Sequence, residues 1–193
     1  HIMAELKGSQ TEKNLLGAFA GESQARNRYT YFASQARKEG LEQIAAVFQE
    51  TADQEKEHAK RFFNQLEGGE LTIEAAFPAG KVGTTLENLR AAAAGEHHEH
   101  SSLYPEFARI AREEGFPVAA MIFEKVSVAE RFHEQRYNAL ADHLEQGQSF
   151  HREEPVTWRC RNCGYTHEGT DAPKSCPACA HPQAYFEVGS TNW

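Results

Sequence analysis

Apolar residues recur every three or four positions in four segments of the chain, which cover residues 11–38, 41–67, 85–113 and 116–146. This spacing places the apolar residues on one face of an α-helix, so the pattern predicts four amphipathic helices. Gly40 and Gly115 stand where the first helix meets the second and the third meets the fourth. Glycine ends helices readily in the left-handed conformation, and such short joins make antiparallel neighbours. The pattern therefore predicts two helical hairpins.

The connection between the second and third helices is much longer, about 17 residues, and contains four glycines and a proline. A connection of this length can run the full length of a bundle, which would leave the second and third helices parallel. Two short hairpins joined by one long crossover is the connectivity of ferritin-like bundles. We therefore predict an all-α four-helix bundle with ferritin-like connectivity over residues 1–150.

Each apolar stripe carries one glutamate near its middle; these are Glu22, Glu55, Glu96 and Glu130. When the stripes close into a bundle the four carboxylates must converge, and buried carboxylates are very costly unless protons or metal ions compensate them. His58 and His133 follow Glu55 and Glu130 by three residues, on the same helix faces. Two glutamates and two Glu-x-x-His pairs form the ligand set of dinuclear carboxylate bundles, and such ligands suit iron or manganese.

The segment Glu96-His97-His98-Glu99-His100 adds a fifth acid to this predicted set. Glu99 lies three residues after Glu96 and therefore also faces the core, whereas His97 and His98 point away toward solvent. His100 lies on the flank, so a ligand role for it stays open. The four positive charges of two Fe(II) ions balance four carboxylates, whereas two Fe(III) ions carry more positive charge than four carboxylates can balance. We therefore hypothesise that Glu99 binds metal preferentially in the oxidised state.

The last 34 residues hold all four cysteines, as two C-x-x-C motifs separated by 12 residues; these are Cys160, Cys163, Cys176 and Cys179. Two such motifs bring four thiolates to one tetrahedral iron or zinc ion. A domain of fewer than about 40 residues usually needs such a metal to fold. We predict a small metal-binding domain over residues 151–193. A redox-active bundle in the same chain favours iron, and a structural zinc ribbon is the alternative.

The chain has a formal net charge of -8, which argues against a nucleic-acid partner because such binding needs a concentrated basic surface. No apolar run approaches the roughly 20 residues that span a bilayer. The N-terminal residues also lack the pattern of a secretory signal. We therefore expect a cytoplasmic protein with no membrane partner.

These motifs together closely resemble the rubrerythrins over essentially the whole chain. The resemblance rests on Glu22, on "EKEH" at 55–58, on "GEHHEH" at 95–100, on Glu130 with His133, and on "CRNCG" and "CPACAHPQAYFEV". It implies a ferritin-like bundle with two iron ions, followed by a small β/loop rubredoxin-like module with one iron at its four cysteines, where recombinant protein can carry zinc. Ala180 stands where isolated rubredoxins usually have glycine, and the loop between the two cysteine motifs is shorter than theirs.

The resemblance further implies an oxidoreductase that reduces hydrogen peroxide to water in defence against oxidative stress. Electrons would arrive through the four-cysteine iron from rubredoxin or an NAD(P)H-dependent reductase, and the protein would be a homodimer. By the same resemblance, one iron exchanges His58 for Glu99 on oxidation. Tyr29 and Tyr104 match tyrosines that hydrogen-bond ligand carboxylates, with core packing as the alternative for Tyr29. The competing functions are iron oxidation or storage by a ferritin-like protein, and a non-enzymatic metal-binding protein with a structural zinc ribbon.

Overall fold

The computed structural model describes residues 5–193, so the first residues on which the signal-sequence expectation rests lie outside it. Its helices are α1 (Gln10–Lys38), α2 (Glu42–Phe63), α3 (Thr85–His98), α4 (Tyr104–Glu113) and α5 (Pro117–Glu145). The four predicted helices are confirmed, with the third divided into α3 and α4. No helix within the described range has the length and apolar content needed to cross a membrane.

The helix ends follow from local hydrogen bonds and glycines. Ser9 caps α1 by accepting a hydrogen bond from the Glu12 backbone N–H. Thr84 and Glu87 form a reciprocal capping box at the start of α3. The predicted end of the second helix at residue 67 is wrong, because Asn64 already ends α2. The residues that follow form turns, and the chain then runs as an extended crossover to α3.

A π-helical turn at Glu99–Leu103 separates α3 from α4. Three of the bundle's helices bury residues seven positions before and seven positions after their central glutamate; the triplets are Leu15/Glu22/Tyr29, Phe48/Glu55/Phe62 and Phe123/Glu130/Tyr137. In the third helix the spacing becomes eight, because Leu89 and Glu96 are followed by Tyr104 rather than Leu103. A π-helical turn accommodates one extra residue in a helix. It therefore returns Tyr104 to the face that carries Glu96.

The four central glutamates form a layer between two apolar clusters. One cluster contains Tyr29, Phe48 and Tyr137. The other contains Phe62 and Tyr104, together with Phe123 and the apolar residues near the start of α5. Aromatic side chains thus cover the acid layer on both sides along the bundle axis and keep its surroundings largely apolar.

The C-terminal segment forms a three-stranded antiparallel sheet in the order β2–β1–β3; the strands are β1 (His151–Cys160), β2 (Thr166–Asp171) and β3 (Phe186–Val188). Trp158 and Phe186 are fully buried in its core. The module packs beside the start of α2, where a methyl group at Gly40 would lie 3.6 Å from the Cβ atom of Ala184. The predicted fold class, a ferritin-like helical bundle with a small β/loop module, is confirmed.

Candidate metal centre

The carboxylates and imidazoles predicted from the four stripes meet in two overlapping groups. The first group contains Glu22, Glu55, His58 and Glu130, and the second contains Glu55, Glu96, Glu130 and His133. Within each group the ligand atoms lie within 4.8 Å of one another. The glutamates and His133 are at most 3% exposed, so their charges lie out of water.

Glu55 and Glu130 belong to both groups and give one oxygen to each. His58 Nδ1 lies 2.9 Å from Glu55 Oε2 and 2.9 Å from Glu130 Oε1. His133 Nδ1 lies 3.2 Å from Glu55 Oε1 and 2.7 Å from Glu130 Oε2. Glu55 and Glu130 would therefore serve both halves of a dinuclear site, and His58 and His133 would each serve one half.

The buried polar atoms of this layer fit bound cations. Within residues 5–193, six of them form no hydrogen bond of regular geometry, although the Glu55 and Glu130 oxygens lie near a histidine Nδ1. They are Glu22 Oε2, Glu55 Oε1, Glu96 Oε2, Glu130 Oε1, Glu130 Oε2 and His133 Nδ1. Buried carboxylate oxygens without partners are strongly destabilising unless a cation neutralises them. Their donor chemistry, oxygen and imidazole without thiolate, suits iron.

The acids and histidines perturb one another strongly in the metal-free chain. Burial, reinforced by the negative charge of Glu55 and Glu130, raises the pKa of Glu22 and of Glu96 well above the ordinary value. Burial alone would lower the pKa of His133, but the close carboxylates of Glu130, Glu55 and Glu96 raise it to about 12. Protons on these acids and histidines therefore reduce the repulsion between the carboxylates, and metal ions must displace those protons on binding.

Two tyrosines and one glutamine orient the candidate ligands. The Tyr29 hydroxyl donates a hydrogen bond to Glu96 Oε1 at 2.5 Å, and the Tyr104 hydroxyl donates to Glu22 Oε1. Gln54 Oε1 lies 2.9 Å from His133 Nε2, an arrangement that leaves Nδ1 free to face the carboxylates. Gln54 was not predicted from the sequence, since a single polar residue beside a candidate ligand gives no periodic signal.

Glu99 lies outside both four-residue groups, half-buried at the wall of a cavity of about 620 Å³. The cavity lies between α1, the crossover residues 72–78 and the π-helical turn, and Tyr29 and Tyr104 also line it. Burial, with the charges of Glu22 and Glu96 and of the other acids, raises the pKa of Glu99 well above its ordinary value. Glu99 thus stands between the cavity and the acid layer, and its role as a ligand stays a prediction.

The neighbouring histidines take other positions. His98 is exposed and lines the same cavity as Glu99. His100, whose role the sequence left open, joins neither buried group and instead contacts Glu134 on α5.

The four cysteines converge on one point in the C-terminal module. Cys160 Sγ lies 3.8 Å from Cys179 Sγ, and Cys163 Sγ lies 3.6 Å from Cys176 Sγ. Four thiolates about 2.3 Å from a tetrahedral metal ion would be about 3.8 Å apart, so the geometry fits a metal site with four cysteine ligands. The two motifs turn alike: the Cys160 N–H donates to Tyr165 and the Cys176 N–H donates to His181.

Gly164 and Ala180 occupy equivalent positions in these two turns, with φ of 82° and 61°. Ala180 is the one non-glycine residue with positive φ in the described part of the chain. A β-carbon in this conformation costs roughly 1–2 kcal/mol. The departure from glycine noted in the sequence is therefore accommodated with strain.

The fold and these two sites define a class of protein: a ferritin-like bundle with a dinuclear carboxylate centre, joined to a four-cysteine metal module. The rubrerythrin family model matches residues 13–141, and the model of the rubredoxin-like domain of rubrerythrin matches residues 158–187. The chain belongs to the rubrerythrin family. It therefore has the family's di-iron site and rubredoxin-like four-cysteine site. It is a di-iron oxidoreductase associated with oxidative stress.

Relatives match along nearly the whole chain. The rubrerythrin of Nitratidesulfovibrio vulgaris is 61% identical over 99% of this chain and 100% of its own length. The rubrerythrin of Porphyromonas gingivalis is 63% identical over 97% of this chain and 94% of its own. A structure of fully reduced, all-ferrous nigerythrin aligns with a TM-score of 0.62 at 32% identity, covering 98% of this chain and 94% of that one.

Proposed function

We propose that this chain is a non-haem di-iron peroxidase that reduces hydrogen peroxide to water. Each turnover takes two electrons and two protons and converts one peroxide molecule into two water molecules. The main support is the cavity that reaches from the crossover to Glu99. Tyr29 and Tyr104 also line it, and their hydroxyl groups contact the carboxylates of Glu96 and Glu22. Bound iron supplies the electrons that cleave the O–O bond.

The protein's own residues have distinct tasks in this proposal. The two ions would be held by the residues of the two buried groups, which are Glu22, Glu55, His58, Glu96, Glu130 and His133. The hydroxyl groups of Tyr29 and Tyr104 fix the carboxylates of Glu96 and Glu22. Glu99 holds a proton on its carboxyl group at the cavity wall, where it can protonate a departing oxygen. We also propose that Glu99 replaces His58 as a ligand in the oxidised state.

Electrons would enter through the four-cysteine module, with rubredoxin or an NAD(P)H-dependent reductase as the donor. An iron ion held by four thiolates transfers single electrons, which a zinc ion cannot do. We propose that residues 1–150 and 151–193 act as two domains for these two steps. The compartment we propose is the cytoplasm, because the cysteine spacing suits metal binding rather than disulfides.

We further propose that the protein is a homodimer that uses the exposed side of α5. Val118, Met121, Val128 and Phe132 are each at least 39% exposed on this helix. At 100° per residue they fall within about 80° of one face. We call these four residues the α5 apolar face. An exposed apolar stripe of this kind is typical of a protein interface.

The test of the peroxidase proposal is stopped-flow oxidation of the iron-loaded, fully reduced protein by hydrogen peroxide and, separately, by oxygen. We expect faster oxidation by peroxide at equal concentration. Glu99→Gln should slow the peroxide reaction at least tenfold while iron content stays unchanged. Glu74→Gln is the matched control, because Glu74 lines the same cavity from the crossover and is exposed.

Equal or faster oxidation by oxygen would contradict the peroxidase proposal and favour the ferroxidase alternative. An unchanged peroxide rate in Glu99→Gln would remove Glu99 from the mechanism. The relay is tested by Cys163→Ser with a reductase as donor. That variant should lose donor-driven turnover, while the chemically pre-reduced bundle still reacts with peroxide at the original rate.

A further inference from the structure

A third cluster of side chains with metal-ligating atoms lies on the outer side of the bundle, where α3 and the π-helical turn face α5. Its members are His97, His100 and Glu134, and one ligand atom from each lies within 4.8 Å of the other two. His97 Nδ1 is 3.1 Å from Glu134 Oε1, and His100 Nε2 contacts Glu134 Oε2. None of the three belongs to the buried ligand groups or to the four-cysteine site.

The geometry directs both imidazoles at one carboxylate. The rings of His97 and His100 lie edge to face, 5.2 Å apart and inclined by 80°, so they do not stack. The backbone at His100 is held to α5 by a hydrogen bond of 3.1 Å from Ser127 Oγ to its carbonyl oxygen. The cluster thus joins two packed helices and does not depend on a loop.

The exposure of these side chains suits an exchangeable ion. His97 is 61% exposed, whereas His100 and Glu134 are 10% and 21% exposed. Two ligands are therefore held in place by the protein, and the third opens directly to solvent. Two imidazoles and one carboxylate, with the remaining positions left to water, form a ligand set that binds divalent first-row transition metals.

We propose that His97, His100 and Glu134 form a surface site for a divalent transition-metal ion, separate from the di-iron and four-cysteine sites. The outer and buried sites use the same two helices, since His97 follows Glu96 and Glu134 follows His133. The proposal is independent of peroxide reduction. Its alternative is an interhelical ion pair in which protonated histidines contact Glu134 and no metal binds.

The test is a calorimetric titration with Zn(II) of the full chain whose di-iron and four-cysteine sites are already loaded with iron. Iron content and the visible absorbance of the four-cysteine centre are followed to show that zinc displaces neither. The expected result is one further equivalent of Zn(II) in the unmodified protein. Binding of that equivalent should weaken at least tenfold in Glu134→Gln and in His97→Asn.

His98→Asn is the matched control, because His98 is an exposed neighbour on the same helix that does not belong to the cluster. It should bind the further equivalent unchanged. Zn(II) should also raise the melting temperature of the unmodified protein but not that of His97→Asn. Since His97 is largely exposed, this substitution should leave the fold intact. The absence of a further equivalent, or equal binding in all variants, would overturn the proposal and leave the ion pair.

Discussion

Tyr104 and Tyr137 are both fully buried beside the acid layer, yet their hydroxyl groups have different surroundings. Tyr104 donates a hydrogen bond to Glu22, whereas no hydrogen-bond partner for the Tyr137 hydroxyl is found in the described chain. The two residues therefore separate the effect of orienting a ligand from that of filling the core.

We predict that Tyr104→Phe weakens iron binding at the carboxylate site about 10- to 100-fold, the usual effect of losing a hydrogen bond to a metal ligand. Competition with a chelator of known affinity measures this change. Tyr137→Phe should leave the affinity within about threefold, because its hydroxyl makes no hydrogen bond to a candidate ligand. A similar loss of iron affinity in both variants would mean that Tyr104 contributes through packing and not through its hydrogen bond to Glu22.

The convergence of the central glutamates could be predicted from sequence because their burial is so costly. A glutamate at the middle of each of four apolar stripes has few explanations other than a shared metal site, and Glu22, Glu55, Glu96 and Glu130 do converge. Gln54 could not be predicted, since one amide next to a ligand breaks no pattern. The pairing of His100 with Glu134 was equally hidden, because helical angle alone does not specify the opposite helix.

At the scale of elements, the end of α4 stabilises the start of α1. Glu114 accepts hydrogen bonds from the backbone N–H groups of Gln10 and Thr11, at 3.0 and 2.7 Å, and from the Thr11 hydroxyl. The N–H groups in the first turn of a helix have no hydrogen-bond acceptors within that helix, so Glu114 supplies acceptors for two of them. Burial opposes ionisation of Glu114, but the hydrogen bonds from Thr11 outweigh it and lower its pKa below the ordinary value.

We predict that Glu114→Gln destabilises the protein at pH 7 by about 0.3–1 kcal/mol, the usual value of a negative charge at a helix N-terminus. Because the folded pKa is lowered, this contribution is present above the unfolded pKa of about 4.3 and is lost as pH falls below it. Melting temperatures from pH 7 to pH 3.5 should therefore converge for the two proteins.

Glu113→Gln is the control for this prediction, because Glu113 is exposed and forms an ion pair with the similarly exposed Arg109. Its melting temperature should follow the unmodified protein across the range. A difference for Glu114→Gln that stays constant down to pH 3.5 would exclude the proposed role of its charge.

Elements differ in how far the sequence reveals them. The helices and the crossover were predictable from apolar spacing and glycine positions, and the bounds of α1 and α5 agree within one residue. The π-helical turn was missed, although its signal is present: the seven-residue spacing that holds in α1, α2 and α5 becomes eight between Glu96 and Tyr104. An uninterrupted helix would carry Leu103 on the buried stripe, where Tyr104 actually lies.

At the scale of the whole molecule, the α5 apolar face is the largest group of exposed apolar side chains on a single helix of the described chain. We predict that a double substitution, Val128→Glu with Phe132→Glu, converts the proposed dimer into a monomer, because paired copies would bury four added charges. Native mass spectrometry and sedimentation measure the mass directly.

Tyr31→Glu is the control for the dimer prediction, since Tyr31 is 55% exposed on α1, outside the α5 apolar face. It should leave the mass unchanged. A dimer that persists in the double variant would place the interface elsewhere, and a monomer in the unmodified protein would remove the homodimer from the proposed function.

The π-helical turn also constrains how this chain can vary. Insertions and deletions are usually absorbed in surface loops, where they leave packed side chains undisturbed. Between Glu96 and Tyr104, however, loss of one residue would return the spacing to seven and the segment to an ordinary helix, in which Tyr104 would still share the face of Glu96. The π-helical turn, which begins at Glu99 on the cavity wall, would then be lost. The number of residues in this interval should consequently be more strictly preserved than the identities of Ser101 and Ser102 within it.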